Sequence, residues 1–450
     1  MGLGLFGGGV GVTRYLVEKG AKVTVTDLRS EKELMPSLQK LDGLDVAFHL
    51  GGHSDDDFSG VNYVFASPAV HPDSPYLQVA RQHRVPVATE ATLFLSRCPS
   101  PVIGVTGTLG KSTTVAMLDS IFRKSSLRFF VGGNIGISLL DSLDEMNAST
   151  PVILELSSFQ LLYLHKLKIS PHIAVITSLY PNHLEYHKTM KAYIRAKSAI
   201  LKYQTWEDYA VLGDMDALVY HYCESGKGRK YYLRMGQLLY FEDGLYKEGD
   251  TLIFRYEGQP RFRFPVTELG VFGNHNIHNA MAAAAAAYLA GLDEDYIYQG
   301  LRDFKGIPHR LEVFLTYDNK TYINDSKSTT PDSTIAAVAS MSGPYILIIG
   351  GHDKGLSFEK LYKVLDDRLQ LLIIMGEAGE RIESGIETVR PDIPSKRVQN
   401  LQDAVKAAVK IARNGDTVLF SPACSSYDAF VNYEERGETF KRLIHDSVRK

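Results

Sequence analysis

Gly104-Val105-Thr106-Gly107-Thr108-Leu109-Gly110-Lys111-Ser112-Thr113-Thr114 is the stretch best equipped for chemistry. Its three glycines let the backbone fold tightly, so that successive N–H groups can face one anion. Lys111 supplies a point charge for the outer phosphates of a nucleotide, and Ser112 or Thr113 a hydroxyl for Mg²⁺. An apolar run, Pro101-Val102-Ile103, precedes the loop, and Val115, Met117, Leu118, Ile121 and Phe122 follow at helical spacing. Strand, glycine loop and helix are therefore expected in that order. The common P-loop would carry glycine where Val105 stands, so the loop indicates nucleotide phosphate without naming a family.

Further reactive residues follow along the chain. Val152 to Gln160 reads as a buried strand that carries Glu155, where an Mg²⁺ ligand beside a phosphate loop would sit. Asn182-His183-Leu184-Glu185-Tyr186-His187 follows the strand Ile173 to Thr177 and suits metal or phosphate contacts or a solvated loop equally. Lys197 lies on a helix from about Met190, near the edge of an apolar face, and by composition alone reads as a surface lysine. Asn276 and Asn279 are three apart, hence on one face of the alanine-rich helix that ends near Ala290, and in isolation read as helix caps.

These groups need elements to position them. Residues 1 to 91 read as a small Rossmann-type unit, with a glycine turn at Gly2-Leu3-Gly4-Leu5-Phe6-Gly7 and a strand Lys22 to Asp27 that ends in an acid. The turn begins at residue 2, so an upstream apolar strand is expected, and the chain as given should be less stable without it. Residues 92 to 305 form the phosphate-loop domain, with residues 205 to 265 as peripheral short strands. Residues 306 to 450 read as a third α/β unit, with strands at Thr321 to Asn324, Tyr345 to Ile349, Leu371 to Met375 and Thr417 to Ser421. Polar clusters end three of those strands: Asn324 to Lys327, Gly350 to Gly355 and Ser421 to Ser426. Open α/β sheets bind ligands at that edge.

Composition narrows the class. A net charge of -3 over 450 residues gives no reason to expect nucleic acid or an acidic membrane as partner. Cys98, Cys223 and Cys424 lie far apart, which makes neither a metal spacing nor a disulfide framework and fits a reducing cytoplasm. No apolar run reaches the roughly 18 residues of a membrane helix, so membrane insertion is not expected.

Taken together, the motifs resemble the Mur ligase family of ATP-dependent peptidoglycan ligases, nearest to its D-glutamate-adding branch. The family loop, G-x-x-G-x-x-G-K-[ST]-[ST], accounts for the spacing at Gly104 to Thr113. Gly133-Asn134-Ile135-Gly136, Leu154 to Gln160, Pro308-His309-Arg310, Asn324 to Thr329 and Ser421 to Cys424 follow in family order. The arginine-containing selectivity motif of the diaminopimelate- and lysine-adding relatives is missing.

The resemblance implies an α/β protein of three domains: N-terminal Rossmann-like, a central P-loop ATPase-like parallel sheet, and C-terminal Rossmann-like. It implies that Leu5, Phe6, Asp27 and Arg29 bind the uridine diphosphate of the substrate, with Asn134, Ser157 and His183 along its muramoyl-alanine arm. Gly107, Thr108, Gly110, Lys111, Ser112 and Thr113 would hold the phosphates of ATP, and Asn276, Asn279, Arg310 and Asp325 the rest of the nucleotide. Ser112, Glu155, His183 and Lys197, the last as a carbamate, would hold Mg²⁺; Lys111, Glu155, His183 and Lys197 would be catalytic. Thr329, Lys354 and Ser426 would bind D-glutamate. The implied reaction joins D-glutamate to UDP-N-acetylmuramoyl-L-alanine through an acyl phosphate, in a cytoplasmic monomer. Leu109 stands where the family usually has asparagine, Asn182 where aspartate is more usual, Glu185 in place of another aspartate, and Phe6 in a turn where small or polar residues are more common. A folylpolyglutamate-type ligase, a Rossmann oxidoreductase and a paralogue with weakened catalysis are the competing readings.

Overall fold

The structure, a computed structural model, describes residues 1–5, 7–135, 138–213, 226–271 and 273–449. Phe6, Gly136, Cys223 and Phe272 lie outside the described residues, as does the side chain of Glu185. The chain divides into two compact units, Met1–Phe304 and Lys305–Lys450.

The first unit opens with two short parallel pairs. β1 (Val23–Asp27) pairs with β2 (Val46–Leu50), and β3 (Val64–Phe65) with β4 (Val87–Ala88). Residues 1–3 bridge the pairs: Gly2 N donates to Thr26 O at 2.7 Å, Met1 N to Phe65 O at 2.9 Å and Ser67 N to Met1 O at 2.9 Å. Leu3 is buried there. The helix Gly8–Glu18 crosses so close behind that a Cβ on Gly9 would lie 2.3 Å from Leu3 O.

A nine-stranded sheet follows, made of β5 (Val102–Thr106), β6 (Phe130–Gly133), β7 (Val152–Glu155), β8 (Ile173–Ile176), β9 (Tyr209–Leu212), β10 (Arg229–Arg234), β11 (Asp243–Glu248), β12 (Thr251–Tyr256) and β13 (Gln259–Pro265). Its order is β13-β12-β11-β10-β9-β8-β5-β7-β6. Strands β5, β7 and β8 are buried at every residue, as apolar parallel strands covered on both faces must be. The strands between residues 205 and 265 thus extend the central sheet and do not form a peripheral one. Alanines 282–287 are fully buried on the helix Asn274–Leu289, where small side chains let it approach its neighbours. Asn276 and Asn279 lie inside that helix; its N-cap is Gly273, which corrects the reading of both asparagines as caps.

The second unit is one six-stranded sheet of β14 (Glu312–Tyr317), β15 (Lys320–Asn324), β16 (Tyr345–Gly350), β17 (Leu369–Met375), β18 (Ser395–Arg397) and β19 (Thr417–Phe420), ordered β14-β15-β19-β16-β17-β18. Both faces are covered. Leu347 and Ile349 enter one apolar cluster, and Ile346 and Ile348 the other. β14 and β18, which the sequence did not indicate, are the edge strands, where burial is weakest.

Candidate active site

The loop after β5 lies where the sheet order reverses, with β7 on one side of β5 and β8 on the other. Two glycines are required by space and by backbone angle. Gly107 has φ +156 and Gly110 φ +86; a Cβ would lie 2.0 Å from Thr177 Oγ1 in the first case and 2.3 Å from Asn279 Oδ1 in the second. Gly110 caps the helix Lys111–Phe122, so Lys111, Ser112 and Thr113 form its first turn, the positive end of the helix dipole, which favours an anion. Lys111 Nζ donates to the carbonyls of Gly107 at 2.9 Å and Thr108 at 3.0 Å. From the β8 side, Thr108 N donates to Ser178 O and Leu109 N to Ser178 Oγ, while Thr177 Oγ1 donates to Leu109 O. Leu109 takes part through its backbone; its side chain is 64% exposed.

Lys197 is not a surface residue. It is 2% exposed on the helix Met190–Lys202, and its Nζ donates to Gly107 O at 2.8 Å and Thr106 Oγ1 at 3.1 Å. Burial holds its pKa well below the ordinary lysine value, the Lys111 charge lowers it further, and Glu155 opposes both. One turn earlier, Tyr193 OH shares a 2.9 Å hydrogen bond with Thr108 Oγ1. Tyr193 went unremarked in the sequence, although its position four before Lys197 puts both on one helical face.

Glu155 ends β7 and is 2% exposed. Asn134 Nδ2 donates to its Oε1 at 2.9 Å, and its Oε2 has no hydrogen-bond partner among the described residues. A buried carboxylate oxygen left in this way suits a hard cation. No three His, Cys, Asp or Glu side chains among the described residues converge into a cage. Ser157 caps the helix Ser158–Leu167, with Gln160 N donating to its Oγ at 3.3 Å. His183 has φ +53 and packs its ring 5.0 Å from that of Phe159, while His187 meets Ser158 Oγ at 3.0 Å.

Around the N-terminal glycine turn, Asp27 is buried. Its Oδ2 accepts from Gly4 N at 3.1 Å and its Oδ1 from Arg29 N at 2.9 Å, so it shapes the turn itself. Leu5 and Arg29 are exposed beside it.

In the second unit, three loops leave the adjacent strands β15, β19 and β16 at their carboxyl ends. They are tied together: Ala423 N donates to Ser328 O at 2.9 Å and His352 N to Ser425 O at 3.0 Å. Thr329, Ser426 and Lys354 sit one on each loop; Ser426 is buried and Lys354 exposed. Asp325 is 2% exposed, accepts from Ser421 Oγ at 2.7 Å and Leu311 N at 3.0 Å, and has its pKa raised by burial against those bonds and Arg310. Arg436 was missed in the sequence. It is 1% exposed and donates to Ser326 Oγ, Ser326 O, Cys424 O and Ser425 O at 2.8–3.0 Å. The signal for it was its spacing to Phe440 and Ile444, which puts it on the buried stripe of the helix Tyr433–Val448.

Known proteins match along this whole arrangement. Family models match at residues 1–89 (Mur ligase MurD-like, N-terminal domain), 105–287 (Mur ligase middle domain) and 309–424 (Mur ligase, glutamate ligase domain). A UDP-N-acetylmuramoylalanine--D-glutamate ligase of Roseiflexus sp. (strain RS-1) is 37% identical, covering 99% of this chain and 97% of its own. One from Symbiobacterium thermophilum is 35% identical over 97% of this chain and 96% of its own. Among solved structures, the UDP-N-acetylmuramate-alanine ligase of Thermotoga maritima shares the fold at 21% identity, with a TM-score of 0.61 over 99% of this chain and 98% of that one. With the lysine-bearing glycine loop, the buried carboxylate and all three domain matches in order, the chain belongs to the Mur ligase family.

Proposed function

We infer that this chain is an ATP-dependent ligase that joins D-glutamate to UDP-N-acetylmuramoyl-L-alanine in peptidoglycan precursor synthesis. The observation that carries the reading is near-full-length likeness, at 35–37% identity, to relatives named for that reaction. The loop chemistry supports it, since a Rossmann oxidoreductase would leave Lys111 and Glu155 without a role.

The alanyl carboxylate attacks the γ-phosphorus of ATP, giving ADP and an acyl phosphate. The amine of D-glutamate then adds to the acyl carbon, and phosphate leaves as the amide forms. The amides of the glycine loop and the first helical turn hold the phosphates, and Lys111 exchanges the carbonyls of Gly107 and Thr108 for phosphate oxygens. Mg²⁺, when bound, neutralises charge on those oxygens; Ser112, Glu155, His183 and Lys197 as carbamate are its proposed protein ligands. Asn276, Asn279, Arg310 and Asp325 are the remaining nucleotide ligands, and Thr329, Lys354 and Ser426 take the carboxylates of D-glutamate. Leu5, Asp27, Arg29, Asn134 and Ser157 serve the uridine nucleotide and its arm, with Asp27 acting through the shape of the turn. The uridine nucleotide thus falls to residues 1–91, the ATP phosphates to 92–305 and the amino acid to 306–450, while Asn134 and Ser157 of the middle range serve the substrate arm and Arg310 and Asp325 of the last range serve ATP.

Lys197 carries a specific chemical step in this reading. Burial and Lys111 disfavour its cation, so the amine is available as a nucleophile. It adds to CO₂ with loss of one proton, and the carbamate anion presents two hard oxygens. No described helix is long and apolar enough to cross a membrane; the chain works in the cytoplasm, as a monomer. The deciding experiment measures phosphate release with each substrate omitted in turn. Release that needs both UDP-N-acetylmuramoyl-L-alanine and D-glutamate supports the reading, and release with a folate or another amino acid instead overturns it.

A further inference from the structure

The carboxyl ends of β16, β17 and β18 border an open cleft of about 490 Å³ to which none of Thr329, Lys354 or Ser426 contributes. Its place in the sheet is informative. The order β18-β17-β16-β19-β15 runs outward from β16 as a doubly wound nucleotide-binding sheet does, with β16 as first strand, β17 as second and β18 as third. In that plan a glycine turn follows the first strand, and an acid at the end of the second accepts from the ribose hydroxyls. Both parts are present. Gly351, at φ +147, directly follows β16, and a Cβ on it would lie 2.4 Å from Ser425 O. Glu377 stands two residues past the end of β17, roughly two dozen residues beyond the turn. After β18, Gln399, Asn400 and Leu401 form the third side.

The lining fits a base and a sugar. Met375, Leu401 and Phe430 supply apolar surface for a flat ring, and the Gln399 amide and the Asn400 Nδ2 can pair with its edge, the Asn400 Oδ1 being held by Asp403 N as the cap of the next helix. His352 Nδ1 holds Glu377 Oε2 at 2.6 Å, which leaves Oε1 to accept from a sugar hydroxyl. Phosphate is disfavoured. The only cation among the lining residues, Arg436, is buried and commits four of its five N–H donors to Ser326 Oγ and to three backbone carbonyls. Two carboxylates, Glu377 and Asp428, also line the cavity.

We propose that this cavity in the second unit is a binding site for an uncharged purine nucleoside, its base against Met375, Leu401 and Phe430 and its 2′- and 3′-hydroxyls on Glu377. The site is separate from the glycine loop that takes ATP.

Adenosine is the probe, because it has no phosphate for Lys111 to hold. Its binding to the full chain is measured by calorimetry with and without saturating Mg·ATP. One equivalent should bind in both cases. Ala429→Trp, which puts an indole into the cavity from a lining position, should abolish it. Glu377→Gln, and separately 2′,3′-dideoxyadenosine as ligand, should weaken it at least about tenfold through loss of a charge-assisted hydrogen bond. Phosphate release from ATP should be unchanged in both variants. No saturable binding up to about 5 mM, equal binding by wild type and Ala429→Trp, or full displacement by ATP would overturn the proposal. If melting curves show Ala429→Trp misfolded, the exposed Glu377→Gln decides the matter alone, and unaltered affinity in it rejects the site.

Discussion

Glu90→Gln is expected to remove a pH dependence built into the first unit. Glu90 opens the helix Glu90–Arg97, and Ser138 Oγ donates to its Oε1 at 2.9 Å. Burial pushes its pKa from 4.5 up to about 7, against the smaller opposing effect of the Ser138 bond. At about 1.36 kcal/mol per pH unit, ionising this carboxyl in the folded chain costs roughly 3 kcal/mol more than in the unfolded one. Glu90 keeps some solvent contact, and screening there brings the expected figure to about 2 kcal/mol. The sign follows from the raised value. Between pH 4.5 and about 7 the folded chain binds more protons than the unfolded one, so stability falls as pH rises and levels off above 7. Gln keeps a partner for Ser138 and carries no charge. The variant should match wild type near pH 4.5 and exceed it by about 2 kcal/mol at pH 8 in urea unfolding followed by circular dichroism. A wild-type-to-variant difference that is the same at both pH values would show that Glu90 ionises freely and refute the reasoning.

Three further outcomes are expected. Lys111→Ala should lower turnover at least ~10³-fold with the fold intact, because its charge acts on the transition state; near-normal phosphate release by the variant would remove the loop from the mechanism. Lys354→Ala should raise the KM for D-glutamate about tenfold or more while the KM for ATP stays put, with L-glutamate unused by either form; a shift in the ATP KM instead would misplace the amino-acid site. Lys197→Ala should lose activity and regain part of it with acetate, and native mass spectrometry should find one extra CO₂ on wild type only. Full activity in that variant, without an adduct on wild type, would leave Lys197 a structural lysine.

The sequence by itself determined the order of parts. Short apolar runs at Val102–Thr106, Val152–Glu155 and Ile173–Ile176, bounded by turn residues, read as buried strands, and the structure has them buried at every residue. The glycines at 107 and 110, followed by Lys111, could be read as an anion loop because local chemistry makes them one. Long-range contacts decided the rest. Lys197 is an ordinary helical lysine until the sheet brings Thr106 and Gly107 against it, some 90 residues back along the chain. Asn279 looked like a cap and is instead packed against the spot where Gly110 lacks a side chain. Edge strands β14 and β18 carry weak patterns because half of their surface stays in water, so nothing local demands an apolar face. Arg436 is the extreme case: its four acceptor atoms come from two loops about 110 and 12 residues away, and only the folded sheet puts them within reach of one guanidinium.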